Sequence, residues 1–441
     1  MKKFISESHQ SEPHQQVSFH YLDTLKKNTT SQISGTLQLS LVTQFFPPDY
    51  APTGQLLEEL VQELVRLGVQ VQVFTGQPGY AFHHESAQKI ERSPNLLIRR
   101  SSTSRLWFQR IRGKAISGLL FWLRAALHIL KNENCKDVLL LTTAPPFLPI
   151  LGYLAYLIFR RPYICLLYDL YPDIAIALNV IPKNHWLVRL WQIMNYKTWR
   201  TAEHIIVLSS TMRDRIVEQC PDVADKISII HNWANPDHIV PISKQQNWFA
   251  RQYGLIEKFT VLYSGNMGRC HDIDTIIQTA ICLKDEPIQF VFIGDGAKRE
   301  AAIAQVDEFK LQNVLFLPYQ DKQTLPYSLT ACDLSLVSID VDMEGLIAPS
   351  KLYSAMAGGC AIAVIAEPHS YLRQILLDAQ CGQVFSSGDV TELTDFIRKL
   401  AKYPELSEKM GTSGRQYLQQ HFTLEHITQQ YYKILWSFLA K

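Results

Sequence analysis

Eight cysteines are spread over 441 residues, at 135, 165, 220, 270, 282, 332, 360 and 381, and none forms a Cys-x-x-Cys pair. This spacing excludes a disulfide scaffold or a zinc ribbon and reads as small buried hydrophobes in a reducing, cytoplasmic compartment. An excess of either charge is also missing. Lys plus Arg at 43 against Asp plus Glu at 41 leave a net +2, which is no footprint for nucleic acid, so an anionic partner must be met locally. No apolar run follows Lys2-Lys3, so no secretory leader is expected there. Residues 1–35, rich in Ser, Gln, His and Lys, read as a disordered extension. What is plentiful is apolar surface: 47% of residues against 19% charged. That excludes a low-complexity chain, and at roughly 150 residues per domain the length calls for two or three cores.

Two segments are apolar enough to raise the question of a membrane, Ile116 to Leu130 and Val138 to Phe159. The centre of the second, Thr142-Thr143-Ala144-Pro145-Pro146, divides it into a strand and a following helix. Two readings stand for both segments: the buried core of a doubly wound sheet, or a peripheral contact with a membrane. In the second reading Arg110, Arg112 and Lys114 before, and Arg160 and Arg161 after, meet anionic headgroups.

Along the chain, β-rich apolar runs alternate with amphipathic stretches. Strands are expected at Leu37 to Thr43, Val69 to Phe74, Leu97 to Arg99, Val138 to Thr142, Tyr163 to Tyr168, His204 to Leu208 and Ile227 to Ile230, with a helix at Thr53 to Leu67. A polar, Pro-containing linker, His231 to Tyr253, interrupts the pattern. The alternation resumes at Thr260 to Tyr263, Gln289 to Ile293, Val314 to Leu317, Leu334 to Val337, Ala361 to Ile365 and Gly382 to Phe385. Two βαβα arrays predict two doubly wound parallel-sheet α/β domains. They are placed at 36–235 and 236–420, followed at 421–441 by a helix crossing back to the first; the helical region begins near Glu405.

Candidate chemistry gathers at strand ends, where open α/β sheets bind ligands. Val261 to Ser264 opens into Gly265-Asn266-Met267-Gly268-Arg269, a loop that either presents amides to a phosphate or merely turns tightly. Phe292-Ile293-Gly294-Asp295-Gly296 and Leu317-Pro318-Tyr319-Gln320 end the next two strands. Glu344 then precedes Pro349-Ser350-Lys351-Leu352-Tyr353-Ser354. Ser350 reads as an N-cap or a ligand contact. Lys351 puts a cation where the helix dipole is already positive, which is unfavourable unless an anion arrives. Asp169, ending the run Arg161 to Tyr168, faces the same edge or caps a turn. Asp340-Val341-Asp342 has the spacing of a metal clamp, but a loop carboxylate is the plainer reading of so short a motif.

With Pro349-Ser350-Lys351-x-Tyr353, Ser264-Gly265-Asn266-Met267-Gly268 and Asp169-Leu170-Tyr171-Pro172-Asp173, the chain from Leu37 onward resembles the family 4 nucleotide-sugar glycosyltransferases of the exopolysaccharide and O-antigen type. The resemblance implies the GT-B fold, two Rossmann-like domains facing a cleft. It implies retaining transfer of a hexose from a UDP- or GDP-type donor to a saccharide, lipid-linked in this type, without a metal or other cofactor. Thr53-Gly54 corresponds to the family's first glycine loop, with one glycine in place of two. Asn266 and His271 stand where many members carry Arg and Lys on the donor diphosphate, leaving Arg269 and Lys351 as substitute cations. Glu344 corresponds to the glutamate near the transferred sugar, and Ser354 falls at the ribose glutamate, with Ser354 or Tyr353 in its place. The expected catalytic set is therefore Glu344, Asp169, Arg269 and Lys351, with Gly54, Gly265, Asn266, Gly294, Tyr319, Ser350, Tyr353 and Ser354 on the donor. The alternatives are a catalytically silent GT-B partner subunit, for which the missing ribose glutamate argues, and a sugar-nucleotide epimerase.

Overall fold

The computed structural model describes residues 37–49, 51–78, 87–101, 111–131 and 137–438, with side chains in the fourth segment from 116. The expected N-terminal extension, Tyr50, and the side chains of Arg110, Arg112 and Lys114 lie outside this description.

The first sheet is built from β1 (Gln38–Val42), β2 (Gln70–Thr75), β3 (Ile90–Ser93), β4 (Leu96–Arg100), β5 (Val138–Thr142), β6 (Tyr163–Leu167), β7 (His204–Val207) and β8 (Ile227–Ile229). Its order is β3-β4-β2-β1-β5-β6-β7-β8, parallel except for β3 against β4. Every residue of β5 and β6 is buried, because helices cover both faces of a parallel sheet, and such strands read as unbroken apolar runs. The helices include α1 (Pro52–Arg66), α2 (Ile111–Lys131), α3 (Ile150–Phe159), α4 (Trp186–Thr201) and α5 (Ser210–Gln219). Proline begins α1 without disturbing its ladder, and Gly54, Leu57, Leu60, Val61 and Leu64 form its buried stripe.

The second sheet holds β9 (Phe259–Ser264), β10 (Ile288–Ile293), β11 (Val314–Leu317), β12 (Leu334–Ser338), β13 (Ala361–Ile365) and β14 (Gly382–Phe385), all parallel, in the order β11-β10-β9-β12-β13-β14. Between and after them run α6 (Asp274–Cys282), α7 (Arg299–Glu308), α8 (Lys351–Ala357), α9 (Tyr371–Ala379), α10 (Val390–Lys402), α11 (Pro404–His421) and α12 (Leu424–Ser437). In both sheets the strand order reverses beside the first strand, between β1 and β5 and between β9 and β12. That reversal opens a crevice at the carboxyl ends of the strands.

Two local features differ from the plain alternation. The helical region after Glu405 is broken at Phe422, where Thr423 restarts it by accepting the His426 amide at 3.3 Å, and α12 then packs against α1. The linker contains a one-turn helix, Trp248–Gln252, capped by the Asn247 side chain. Arg415 on α11 ties that linker down, donating to the carbonyls of Ile239 (2.7 Å), Pro236 (2.8 Å) and Ala357.

Candidate active site

The loops after β9 and β10 are laced together through their backbones. Gly265 donates to the Ile293 carbonyl at 2.8 Å, Gly294 to Leu317 at 3.0 Å, and Met267 to Asp295 at 2.8 Å. Gly294 has φ +133°, and a Cβ there would stand 2.1 Å from the Gly265 carbonyl oxygen. Glycine at 294 is thus required by the approach of one loop to the next, whatever else it touches. Gly294→Ala should cost about 2 kcal/mol or more, from the forced φ together with the clash. A urea midpoint unchanged from the parent would show that the loops do not meet this closely.

Lys351, the first residue of α8, reaches back under this lacing. Its Nζ lies 3.7 Å from the centroid of the Tyr263 ring and donates to the Tyr263 hydroxyl. Its Cε would be 3.5 Å from a Cβ at Gly265. Burial holds the Lys351 pKa well below its ordinary value, and no carboxylate pairs with it among the described residues. His271 lies in the same crevice, its Nδ1 2.6 Å from the Ser338 carbonyl at the end of β12. Burial, and then the neighbouring Lys351 charge, push His271 down to about 3. The imidazole is therefore neutral near pH 7; Nδ1 donates to the carbonyl and Nε2 is left as an acceptor. Of the two, only Lys351 is a group whose charged form an arriving anion would favour near neutral pH.

The other expected donor residues are placed as follows. Arg269 and Asn266 are exposed on the loop after β9, and Arg269 forms no ion pair among the described residues. Ser350 begins α8 without making a side-chain cap. The Ser354 hydroxyl donates to the Lys351 carbonyl at 3.0 Å, within its own helix. Tyr319 lies beside Gly294, its Cε1 3.4 Å from where a Cβ would be. Gly54 sits in the first turn of α1, close against the Phe45-Phe46 peptide. Tyr353 requires a correction. It is fully buried, its hydroxyl 3.3 Å from His231 Nδ1 and its ring edge-on to Phe422, so it is a core residue under the domain crossing and not a donor contact. Asp340 is engaged by Lys298 at 2.6 Å and by the Val341 amide at 2.9 Å. No group of three or more His, Cys, Asp or Glu among the described residues is placed to hold a metal ion.

The loops that carry Glu344 and Asp169 meet from opposite domains. The loop 343–347 docks on the first domain through a bridge between Asp169 and Ile347, and the Leu170 amide donates to the Leu346 carbonyl at 3.0 Å. Glu344 is 1% exposed, and its Oε1 accepts from the Thr211 hydroxyl at 2.7 Å. Its Oε2 is buried with no partner. A buried carboxylate oxygen without a donor is costly and asks for a ligand. Thr211 stands in the first turn of α5, whose positive end favours the carboxylate. Arg215 donates to the Glu344 carbonyl at 3.1 Å. Gly345 follows at φ +74°, where a Cβ would lie 2.7 Å from the Thr211 carbonyl oxygen. Asp169 is held by its backbone, since Thr143 Oγ1 accepts the amides of Tyr168 (3.1 Å) and Asp169 (3.3 Å). Burial pushes the Asp169 carboxyl up to about 6.

Thr211, Arg215 and Thr143 are not visible as site residues in the sequence. Thr211 lies 133 positions from Glu344 in the other domain, in a run whose only signal is the Ser209 cap of α5.

Comparison with known proteins gives two family matches. Residues 53–238 match the family described as Glycosyltransferase Family 4, and residues 246–417 that described as Glycosyl transferases group 1. The probable glycosyltransferase WbjE of Pseudomonas aeruginosa is 26% identical over 66% of this chain and 70% of its own length. The putative colanic acid biosynthesis glycosyl transferase WcaI of Escherichia coli K12 is 25% identical over 52% of this chain and 56% of its own. Among solved structures, Anabaena HepE in complex with UDP-glucose superposes with a TM-score of 0.67 at 14% identity, covering 91% of this chain and all of that one, a likeness of fold.

Proposed function

Since the chain belongs to the family 4 glycosyltransferases of the GT-B fold, we propose that it moves a sugar from a UDP- or GDP-type donor onto a lipid-linked saccharide, with retention at the anomeric carbon, in building a cell-surface polysaccharide. One observation carries this reading: a half-buried ammonium with no carboxylate partner among the described residues follows, seven positions on, a buried carboxylate with one oxygen unpartnered. A sugar diphosphate complements both. Its phosphates bring the charge that Lys351 lacks, and its sugar brings hydroxyl donors for Glu344 Oε2. The likeness to WcaI, a putative colanic acid biosynthesis enzyme, and to HepE, solved with UDP-glucose, supports the class of pathway and of donor.

In this reading Lys351 and Arg269 bind the leaving diphosphate, stabilising the charge that develops as the bond from sugar to phosphate breaks. The Asn266 amide, in the turn that Gly265 opens, and the hydroxyls of Ser350 and Ser354 lie on the nucleotide side. Glu344 faces the transferred sugar and Asp169 orients the acceptor hydroxyl. The chain's own cations serve the leaving group, so the reaction draws on no resident metal or cofactor. The free thiols of the described cysteines suit a reducing cytoplasm, with the enzyme peripheral at the membrane face where a lipid-linked acceptor resides.

The test is release of nucleoside diphosphate from a panel of sugar nucleotides, with and without lipid-linked acceptors. One donor should be preferred, and acceptor should accelerate its turnover. Asp169 must be ionised to accept a hydrogen bond from the acceptor. Because burial raises its pKa, the charged form appears only as pH climbs through about 6, so transfer should rise over that window. Asp169→Asn should lose the limb and most transfer while keeping slow donor hydrolysis. No release from any donor would leave the silent-subunit reading, and conversion of donor without acceptor would indicate an epimerase.

A further inference from the structure

The first domain leaves an apolar face uncovered. On α2, Ile116, Leu119, Leu123, Leu127 and Leu130 are each about half exposed, at 47–55%, while Ser117, Phe121, Ala125 and Ile129 on the other side are buried. The exposed set recurs every three or four residues and so forms one stripe. Packed beside α2 is α3, which ends in exposed Leu157 and Ile158, and beside α3 is α4, which exposes Trp186 (66%), Leu190 and Ile193. Three adjacent helices thus turn large apolar side chains to the same surroundings, a larger expanse than a soluble face ordinarily tolerates.

The charges on these helices have one sign. Residues 116–131, 150–161 and 180–201 contain no Asp or Glu. Lys131, Arg160, Lys183, Arg189 and Lys197 are exposed there and make no ion pair among the described residues. Over the whole chain the two signs nearly balance, so this excess is local. No helix among the described residues is long and apolar enough to cross a membrane.

We infer that the α2–α3–α4 face is a docking surface for an anionic lipid bilayer, with the leucine stripe and Trp186 entering the headgroup boundary and the free Lys and Arg side chains meeting lipid phosphates. Apolar side chains beside unpaired cations suit that boundary, and tryptophan is at home in it. A second copy of this chain fits less well, since pairing the face with itself would set cations against cations. The inference deepens the membrane location proposed above. Its test reads binding and not turnover, so its failure and that of the transferase reading are separable.

Full-length protein is floated with neutral phosphatidylcholine vesicles and with vesicles containing phosphatidylglycerol, at low and high salt. Binding should require the anionic lipid and weaken as salt rises. The triple variant Arg160→Gln, Arg189→Gln, Lys197→Gln should lose about a hundredfold in vesicle affinity, from the contribution of each cation near such a surface. Leu123→Ser with Leu127→Ser should also lower affinity, without unfolding, because these side chains are already exposed. Nucleotide release with a water-soluble acceptor should be unchanged in both variants. Absence of flotation at low salt, or flotation indifferent to both variants, overturns the inference. So does a concentration-dependent dimer that dissociates on Leu123→Glu and does not float.

Discussion

Lys351→Met should lower turnover by about two to three orders of magnitude, the loss expected when a preorganised charge on the leaving group is removed. The unusual state of this lysine sharpens the expectation. Burial against Tyr263 depresses its pKa, so the empty enzyme holds the ammonium at a cost that a diphosphate removes. Binding of a nucleoside diphosphate should then raise the Lys351 pKa and draw a proton from solution in the pH range where the empty site is partly deprotonated. The measurement is calorimetry in buffers of different ionisation enthalpy. Lys351→Met should abolish that buffer dependence together with tight binding. A variant that keeps its turnover, or that binds nucleotide with the parent's proton uptake, would remove Lys351 from the phosphate site.

Glu344→Gln should cost about a hundredfold or more in both donor hydrolysis and transfer, because a neutral amide cannot supply the charge demanded by a sugar with oxocarbenium character. Thr211→Val separates the carboxylate from its placement. That change leaves Glu344 charged but removes the hydroxyl that fixes Oε1 at 2.7 Å, so the loss should be smaller, about tenfold, and Thr211→Ser should restore it. Thr211 is in this sense a positioning residue. Steady-state rates for the three variants, with and without acceptor, decide the matter. If Thr211→Val matches the parent while Glu344→Gln fails, the carboxylate does not act from the position seen here.

Much of the architecture could be read from the chain because parallel strands buried on both faces have no choice but to be apolar. Val138–Thr142 and Ala361–Ile365 are such runs, and both are strands at those bounds. β3 escaped because Ile90-Glu91-Arg92-Ser93 is an exposed antiparallel edge with nothing to alternate against. α2 was harder still. Both of its faces are apolar, so periodicity cannot say which one meets solvent, and the structure buries Phe121, Ala125 and Ile129 while exposing the leucines. At the site, strand ends pointed to Gly265, Lys351, Glu344 and Asp169. Tyr353, adjacent to Ser354 in the chain, turns the other way on α8 into the core. The contact of Thr211 with Glu344 joins two domains, and no local pattern encodes a neighbour brought in by folding.

The two passages of the chain between the domains lie side by side: the Ala234 amide donates to the Phe422 carbonyl at 3.3 Å, and Trp233 Nε1 donates to Glu59 on α1 at 2.8 Å. Arg415 fixes the linker from Pro236 onward to the second domain, leaving little slack between these anchors. The two crossings thus tie the domains together along one edge. The strip that pairs Asp169 with Ile347 joins them again, and it carries Glu344 a few residues away. The contact between the domains is therefore also what keeps the carboxylate dry. Were the domains to part there, Glu344 would lose both the Thr211 hydroxyl and its shelter from water.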